Sequence, residues 1–199
     1  MPKKVDHQQR RGEIASAVAR IAADRGLQGV SFREVAAEAG VSVSLVQHYF
    51  GTKENLLIGT LDIQSARLAE LIRGRLDAAR PDDHPLEHLR VIVNSFLPTD
   101  DETRAAMLLY HAFAAAALTD PELRRADAFT NADGLVTVIA QQLDIARDAG
   151  RLADGIDPTI EARAILSLVL GASLSILLDQ VDPREAATVL DAHLDRLVP

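Results

Sequence analysis

The chain has 199 residues, no cysteine, no tryptophan and a formal net charge of −8. This length permits one large domain, or a small domain joined to a larger one, and a hydrophobic content of 48% argues against bulk disorder. The lack of cysteine excludes disulfides and thiolate chemistry and is compatible with a reducing cytosol. The N-terminus has no apolar segment of the kind found in secretory signals, so we expect a cytoplasmic protein without a membrane span.

The charge is unevenly distributed. Residues 1–60 carry 8 Lys and Arg against 6 Asp and Glu, whereas residues 61–199 carry 13 against 23. Phosphate attraction depends on a local patch rather than on the total charge, so this pattern is consistent with a DNA-binding head on an acidic body. An acidic body that is merely soluble explains the same numbers, and the distribution alone does not decide between them.

Two helical patterns open the chain. The first runs from about Gln8 to Arg25 and ends at Gly26, where a left-handed C-terminal stop fits. The second begins at Ser31, which together with Glu34 fits a capping box, and it ends at Gly40.

The third pattern is a short helix that begins at the N-cap Ser42. With Val46 facing inward, a rotation of about 100° per residue turns Phe50 inward as well. The same rotation points Ser44 and His48 away from the core. The outward face of this helix is therefore predicted to be polar.

A fourth helix is predicted from about Thr52 to Ala79, roughly 40 Å long at 1.5 Å per residue, and we expect it to act as a rigid lever. The segment Pro81–Pro85 ends it. In the rest of the sequence, Asp-Pro pairs suit helix starts and Gly residues separate helical segments. Five further helices are predicted, at Leu86–Leu97, Asp101–Leu118, Pro121–Ala149, Pro158–Leu178 and Pro183–Leu197. Gly134 is a candidate interruption of the third of these. No segment alternates with period two, so we predict an all-α fold of about nine helices.

The stretch Ser31–Lys53 resembles the helix-turn-helix of the TetR family of bacterial transcriptional repressors. The features that carry the resemblance are the capped helix, the turn Ala39–Ser42, the aromatic pair Tyr49-Phe50 and Lys53 at the start of the next helix. The resemblance covers about residues 10–60. It implies a DNA-binding domain at residues 1–55 and an effector-binding and dimerisation domain at residues 56–199.

The resemblance also implies which side chains contact double-stranded DNA. Base-edge contacts are expected from Val43, Ser44, Gln47 and His48, and phosphate contacts from Arg33, Tyr49 and Lys53. Alternatives stay open at this point: Val43 packed within the head, Tyr49 half-buried in the core, and His48 merely solvated.

Lys53 has independent physical support. A cation in the first turn of a helix opposes the macrodipole, so helix stability does not favour it there. A phosphate at that place would be bound by the lysine and by the free backbone N–H groups together. Lys3, Lys4, Arg10 and Arg11 are candidates for an arm that reaches the DNA, and a terminus without a role is an equal alternative.

The final two helices resemble the end of the BetI-like branch of the family, which implies a homodimer. Independently of this, small residues four apart on an apolar helix allow another helix to approach closely. That helix belongs either to a second subunit or to the same one, and we favour a second subunit. The predicted interface residues are Ser167, Gly171, Ser175, Leu190, Leu194 and Leu197.

A ligand pocket for a small-molecule effector is expected among the middle helices. Its candidate residues are the larger or polar side chains on otherwise aliphatic helices, namely Phe96, Met107, Tyr110, His111, Phe113 and Phe129. Ordinary core packing is the alternative for each one. Aromatics make up only 4% of the chain, which makes a cage for a quaternary ammonium ligand hard to build.

Other chemistries find little support. Motifs for a phosphate loop, GxGxxG or GxSxG are absent, and His84 and His88 lack the further ligands that a metal site needs. We therefore expect no cofactor, no metal and no enzymatic activity. The sequence predicts a homodimeric repressor that binds a palindromic operator and is released by a small, mostly apolar effector. A DNA-binding regulator without such an effector is the first alternative, and a helical enzyme or scaffold is the second.

Overall fold

The computed structural model describes residues 7–79, 85–124 and 132–199, and the statements below concern those residues. Their secondary structure is helical and includes no strand, which confirms the predicted all-α class. Ten α-helices and one short 3-10 turn follow one another along this part of the chain.

The helices of the N-terminal half follow the predicted order. They are α1 (His7–Arg25), the 3-10 turn Leu27–Gly29, α2 (Phe32–Ala39), α3 (Val43–Phe50) and α4 (Lys53–Ala79). The later helices are α5 (Pro85–Asn94), α6 (Asp101–Ala117), α7 (Pro121–Arg124), α8 (Ala132–Asp148), α9 (Pro158–Leu177) and α10 (Pro183–Asp195). The predicted helix Pro121–Ala149 is thus described as two pieces. Gly134 lies inside α8 and does not interrupt it, while residues 125–131 fall outside the described part.

Aspartate caps start three of the later helices, as predicted. The Asp157 carboxylate accepts hydrogen bonds from the backbone N–H groups of Thr159 at 2.9 Å and Ile160 at 3.0 Å. Asp182 and Asp120 cap α10 and α7 in the same way. In each case a proline follows at the first helical position, where its missing N–H has no intrahelical acceptor to bind.

The chain divides into two compact units. The first comprises the described residues of Met1–Arg67 and Leu108–Phe129. Its core is built from α1 to α3, the start of α4 and the C-terminal part of α6, and it includes Ile14, Val18, Val35, Val46, Phe50, Leu56, Leu61, Leu109 and Phe113. Arg67 fixes α4 to α1, because its guanidinium donates to Ser16 Oγ at 2.8 Å and to the Gly12 carbonyl at 3.2 Å. The domain boundary between residues 55 and 56 stays a prediction.

The second unit comprises Leu68–Met107 and the described residues of Thr130–Pro199. Its core joins α5, α8, α9 and α10 through Leu89, Val93, Ile139, Leu143, Ile165, Val169, Leu190 and Leu194. Arg90 ties α5 to α10, since its Nη1 lies 2.9 Å from Asp191 and its Nη2 binds Asp195. Glu161 on α9 and His193 on α10 form a second polar link, with 2.7 Å between Oε1 and Nε2.

Helix α9 is far more exposed than the sequence indicated. The uncharged run Ala164–Leu178 is too short for a usual membrane span and predicts a buried helix. In the structure, however, only 28% of the most apolar 18-residue window of α9 is buried. By length and composition alone this helix is also able to cross a membrane, although the core helix of a soluble protein passes the same test. Its exposed apolar residues include Ile160, Leu168 and Leu174, and Leu178, which directly follows the helix, is exposed as well.

Candidate nucleic-acid interface

The turn between α2 and α3 is defined by its caps. Ser31 Oγ accepts a hydrogen bond from the Glu34 N–H at 3.2 Å, which is one half of the predicted capping box. The Glu34 carboxylate pairs instead with Arg25, at 3.2 Å. Gly40 ends α2 in the left-handed conformation, with φ of 65°, and the Val41 N–H then reaches the carbonyl of Ala36 at 2.9 Å.

Helix α3 presents the outward face that the helical rotation predicted. Val46 and Phe50 are buried in the core of the first unit, whereas Ser44 and His48 are exposed. Ser42 caps the helix by accepting from the Leu45 N–H at 3.2 Å. The guanidinium of Arg11 lies 4.9 Å from the centre of the Phe50 ring.

The remaining candidates on this helix also reach the surface. Gln47 is exposed, and Val43 is 39% exposed, which is more than a packed core valine shows. The Ser42 and Ser44 hydroxyl oxygens lie 3.0 Å apart. The outward row Val43, Ser44, Gln47 and His48 therefore offers a methyl surface, a hydroxyl, an amide and an imidazole, which are groups able to read base edges.

Tyr49 is half-buried and has a partner that the sequence did not reveal. Its hydroxyl lies 2.9 Å from Nδ1 of His7, the first residue of α1. The His48 ring also contacts it edge-on, with 5.6 Å between ring centroids. No local pattern links residues 42 positions apart, so only the folded structure identifies His7 as part of this surface.

Cations lie at the starts of the neighbouring helices. Lys53 is exposed at the first position of α4, where Thr52 Oγ1 accepts from the Asn55 N–H at 3.1 Å. Arg33 is exposed in the first turn of α2. Of the predicted arm, Arg10 pairs with Glu13 at 2.6 Å, and Lys3 and Lys4 lie outside the described residues.

The predicted effector residues fall into different surroundings. Met107 and Phe113 are buried and Phe96 is half-buried, while Phe129 lies outside the described residues. Tyr110 and His111 are half-buried and meet edge-on, with 5.4 Å between ring centroids. Burial raises the pKa of Tyr110 and lowers the pKa of His111, so both side chains favour their neutral forms.

The second unit also contains a cleft that the sequence did not predict. This cleft is wide open to the surface and has a volume of about 310 Å³. The lining residues are Arg75, Arg90, Val91, Asn94 and Ser95. Arg75 and Arg90 are both held by carboxylates, those of Asp100 in the first case and of Glu87, Asp191 and Asp195 in the second.

The predicted dimer residues divide into an exposed group and a buried group. On α9, Ser167 and Gly171 are exposed and Ser175 is half-buried. A Cβ built on Gly171 meets nothing within 4 Å inside the subunit. By contrast, the leucines predicted for the interface lie in the core of the subunit itself, because the apolar face of α10 packs against α5 and α9. These residues are Leu190, Leu194 and Leu197.

No group of three or more potential metal ligands exists among the residues that the structure describes. His88 belongs to that part of the chain and is half-buried, while His84 lies outside it.

Comparison with known proteins agrees with this architecture. The pattern of the bacterial regulatory proteins of the tetR family matches residues 14–59, and that of the BetI-type transcriptional repressor C-terminal region matches residues 85–199. The HTH-type transcriptional regulator PksA of Bacillus subtilis is 32% identical over 181 residues, which cover 91% of this chain and 85% of PksA. The regulator BetI of Pseudomonas aeruginosa PAO1 is 30% identical over 200 residues, which cover 98% of this chain and 96% of BetI.

Solved structures share the fold. A TetR-family transcriptional regulator from a Rhodococcus species superposes with a TM-score of 0.84 at 24% identity. The superposition covers 96% of this chain and 100% of the Rhodococcus chain. A transcriptional regulator from Saccharomonospora viridis in complex with choline gives a TM-score of 0.80 at 19% identity, covering 96% and 98%. The chain therefore belongs to the TetR family, with a BetI-type C-terminal region, and is a DNA-binding transcriptional regulator.

Proposed function

We propose that the protein is a homodimeric, ligand-responsive repressor that places one α3 helix from each subunit in successive major grooves of a palindromic operator. The observation that carries this proposal is the outward row of α3, which is exposed and polar above a buried Val46 and Phe50. An α-helix of this kind fits the major groove and brings its side chains to base edges. Residues 1–55 would form the DNA-binding domain.

The side chains divide by the part of DNA that they would bind. Ser44, Gln47 and His48 would read base edges, and Val43 would contact a thymine methyl group. Phosphates would be bound by Arg33, Tyr49 and Lys53, and these contacts fix the register of the helix without reading sequence. The N–H groups at the start of α4 would add to the lysine's attraction.

The exposed face of α9 supports a second copy of the chain as the partner. Ile160 is 69% exposed and Leu178 is 57% exposed, with Leu168 and Leu174 between them along the helix. Soluble proteins rarely leave a continuous apolar surface of this kind uncovered. Gly171 lies within it and leaves room for a close helix approach.

Part of α10 would complete this interface. Val189 is 55% exposed there, and the neighbouring Ala192 is exposed as well. Because Leu190, Leu194 and Leu197 are used inside the subunit, their role in the dimer would be to hold α10 in place rather than to touch the twin.

Residues 56–199 would bind the effector and form the dimer. An effector that prefers the conformation unable to bind DNA would shift the population toward it, by no more than its differential affinity for the two states. Helix α4, with 27 residues, is long enough to act as the lever that transmits the change. In the DNA-bound state the two α3 helices must lie about 34–36 Å apart, or a multiple of that distance.

The effector would be small and mostly apolar, with Tyr110 and His111 as its proposed polar contacts. The relative from Saccharomonospora viridis carries choline. This chain has only 5 Phe, 2 Tyr and no Trp, which gives little material for the aromatic cage that a quaternary ammonium group prefers. A regulator without a small effector, acting as an activator or under the control of a protein, is the alternative.

Selection from a random-sequence duplex library tests the proposal directly. The full-length protein should enrich duplexes that contain an inverted repeat with half-sites about 10 base pairs apart, or a multiple of that spacing. Footprints should show protection on one face of the duplex at both half-sites. A pool in which no sequence is enriched, or in which a single unrepeated site is enriched, would contradict the proposal.

A further inference from the structure

The contact between His7 and Tyr49 joins the start of α1 to the end of α3. Their Nδ1 and hydroxyl oxygen lie 2.9 Å apart, and the ring centroids are 5.8 Å apart at an interplanar angle of 59°. His7 is exposed and Tyr49 is half-buried, so the contact lies at the surface of the first unit. Within the described part of the chain, Tyr49 is the hydrogen-bond partner of His7.

The direction of this hydrogen bond decides what Tyr49 can do. A phenol hydroxyl has one proton to donate. If that proton is donated to Nδ1 of a neutral imidazole, the tyrosine has none left for a phosphate. If instead Nδ1–H of His7 donates to the phenol oxygen, the Tyr49 O–H is free to donate to another acceptor. A protonated imidazole enforces the second arrangement, because both of its ring nitrogens carry a proton.

We propose that His7 is a positioning residue for the phosphate contact of Tyr49, donating from Nδ1 to the phenol oxygen so that the tyrosine proton points toward the DNA backbone. This inference rests on the proposed DNA contact by Tyr49. Holding the phenol proton in this direction before the DNA binds should increase the affinity for any duplex, because a phosphate contact carries no sequence information.

The surrounding charges leave this role to His7. On α1 itself, Arg10 is paired with Glu13 and Arg11 lies over the Phe50 ring. From α3, the His48 ring contacts the Tyr49 ring edge-on, with 5.6 Å between ring centroids. Lys53 is the exposed cation at the start of α4. His48 contacts the Tyr49 ring and lies on the proposed base-reading row, so its contribution must be removed before that of His7 is measured.

The test uses the full-length protein and the duplex that it enriches most strongly from the random-sequence library. Affinity is measured by fluorescence anisotropy at constant pH and ionic strength, with every variant made in a His48→Gln background. In that background His7→Ala should weaken binding, because the phenol proton is no longer directed toward the phosphate. His7→Gln keeps an N–H donor near the tyrosine, so it should bind more tightly than His7→Ala.

Tyr49→Phe identifies the route by which His7 acts. Without the phenol oxygen, replacing His7 by alanine should have little further effect, so the two substitutions should be non-additive in a double-mutant cycle. Circular dichroism and sedimentation should match the His48→Gln parent for each variant. Additive effects, or a His7→Ala protein with the affinity of the parent, would overturn the inference.

The outcomes separate the inference from the function on which it rests. If the wild-type protein enriches no duplex, or if Lys53→Ala leaves the salt dependence of binding unchanged, the proposed mode of DNA binding is wrong. If DNA binding and the Lys53 effect are both observed while the His7 and Tyr49 substitutions are additive, only the positioning role of His7 is wrong.

Discussion

Helices α3 and α9 bury one face each, and they differ in what they leave outside. Helix α3 has 8 residues and exposes a polar row that includes Ser44, Gln47 and His48. Helix α9 has 20 residues and exposes an apolar row that includes Ile160 and Leu168. The inner faces of both are ordinary aliphatic core. The chemistry of the outward face therefore indicates the kind of partner, with nucleic acid for α3 and a second protein surface for α9.

The largest effect is expected from a substitution that blocks the apolar row of α9. Gly171→Leu has room inside the subunit and should improve the helix propensity of α9, so the subunit should fold. A leucine there should nonetheless keep a second α9 at a distance. We expect monomers in sedimentation, and an operator affinity lowered by about 100-fold or more, because the second head no longer binds as part of the same molecule.

Gly74→Leu is the matched control for that substitution. Gly74 is also a helical glycine at which an added Cβ would meet nothing within 4 Å, but it lies on α4 rather than on the apolar row of α9. This variant should remain dimeric. An intact dimer for Gly171→Leu would show that the exposed face of α9 has another purpose.

The next largest effect is expected from the proposed phosphate contact of Lys53. Lys53→Ala should weaken binding to all duplexes, by about tenfold for the dimer, and should lower the slope of log K against log salt by about 1 per subunit. Arg104→Ala removes the same charge from an exposed position near the start of α6. Equal salt slopes for these two variants would mean that Lys53 acts only through the net charge of the protein.

Substitution within the polar row should change selectivity more than affinity. Gln47→Ala should lose about 1 kcal/mol of discrimination at one base pair of each half-site, while the salt slope stays the same. The measurement is a repeated library selection with the variant, followed by titration of single-base substitutions in the selected duplex. Unchanged preference at every position would remove Gln47 from the base-reading row.

The smallest predicted effect is on the folding stability of the protein and does not involve the outward face of α3 or α9. Burial lowers the pKa of His111, so the unfolded chain binds a proton at pH values where the folded chain does not. The free energy of unfolding should therefore fall as the pH drops below about 6.5, the usual histidine pKa, toward the lowered value.

Urea denaturation at several pH values, for the wild type and His111→Gln, measures this difference. The variant should lose less stability in acid than the wild type. Parallel curves would show that another group causes the acid dependence.

Local chemistry explains why much of the fold was predictable. Ser31, Ser42, Asp157 and Asp182 each cap a helix at the expected place, because a cap needs only the residue and the next few backbone N–H groups. The orientation of α3 was predictable for a similar reason. Once Val46 faces inward, the helical rotation determines the direction of every other side chain on that helix.

Long-range packing decides what the sequence left open. Leu190 and Leu194 lie on an apolar stripe of α10, and the stripe itself does not say whether its partner is the same subunit or another. Their burial against α5 and α9 depends on elements distant in sequence. The His7–Tyr49 contact has the same origin. The DNA-binding, effector and interface roles of individual residues stay predictions, which the substitutions above test.

The open apolar row of α9 also has a consequence for the life of the protein in a cell. When folding is completed by pairing, stability depends on protomer concentration, so the melting temperature should rise with the amount of protein present. If subunits pair through α9, a newly synthesised subunit without its partner would present this surface to chaperones and proteases, which act on such exposed states. A low concentration of the protein would then shorten the lifetime of each subunit. The abundance of the regulator would therefore rise more than proportionally with its rate of synthesis.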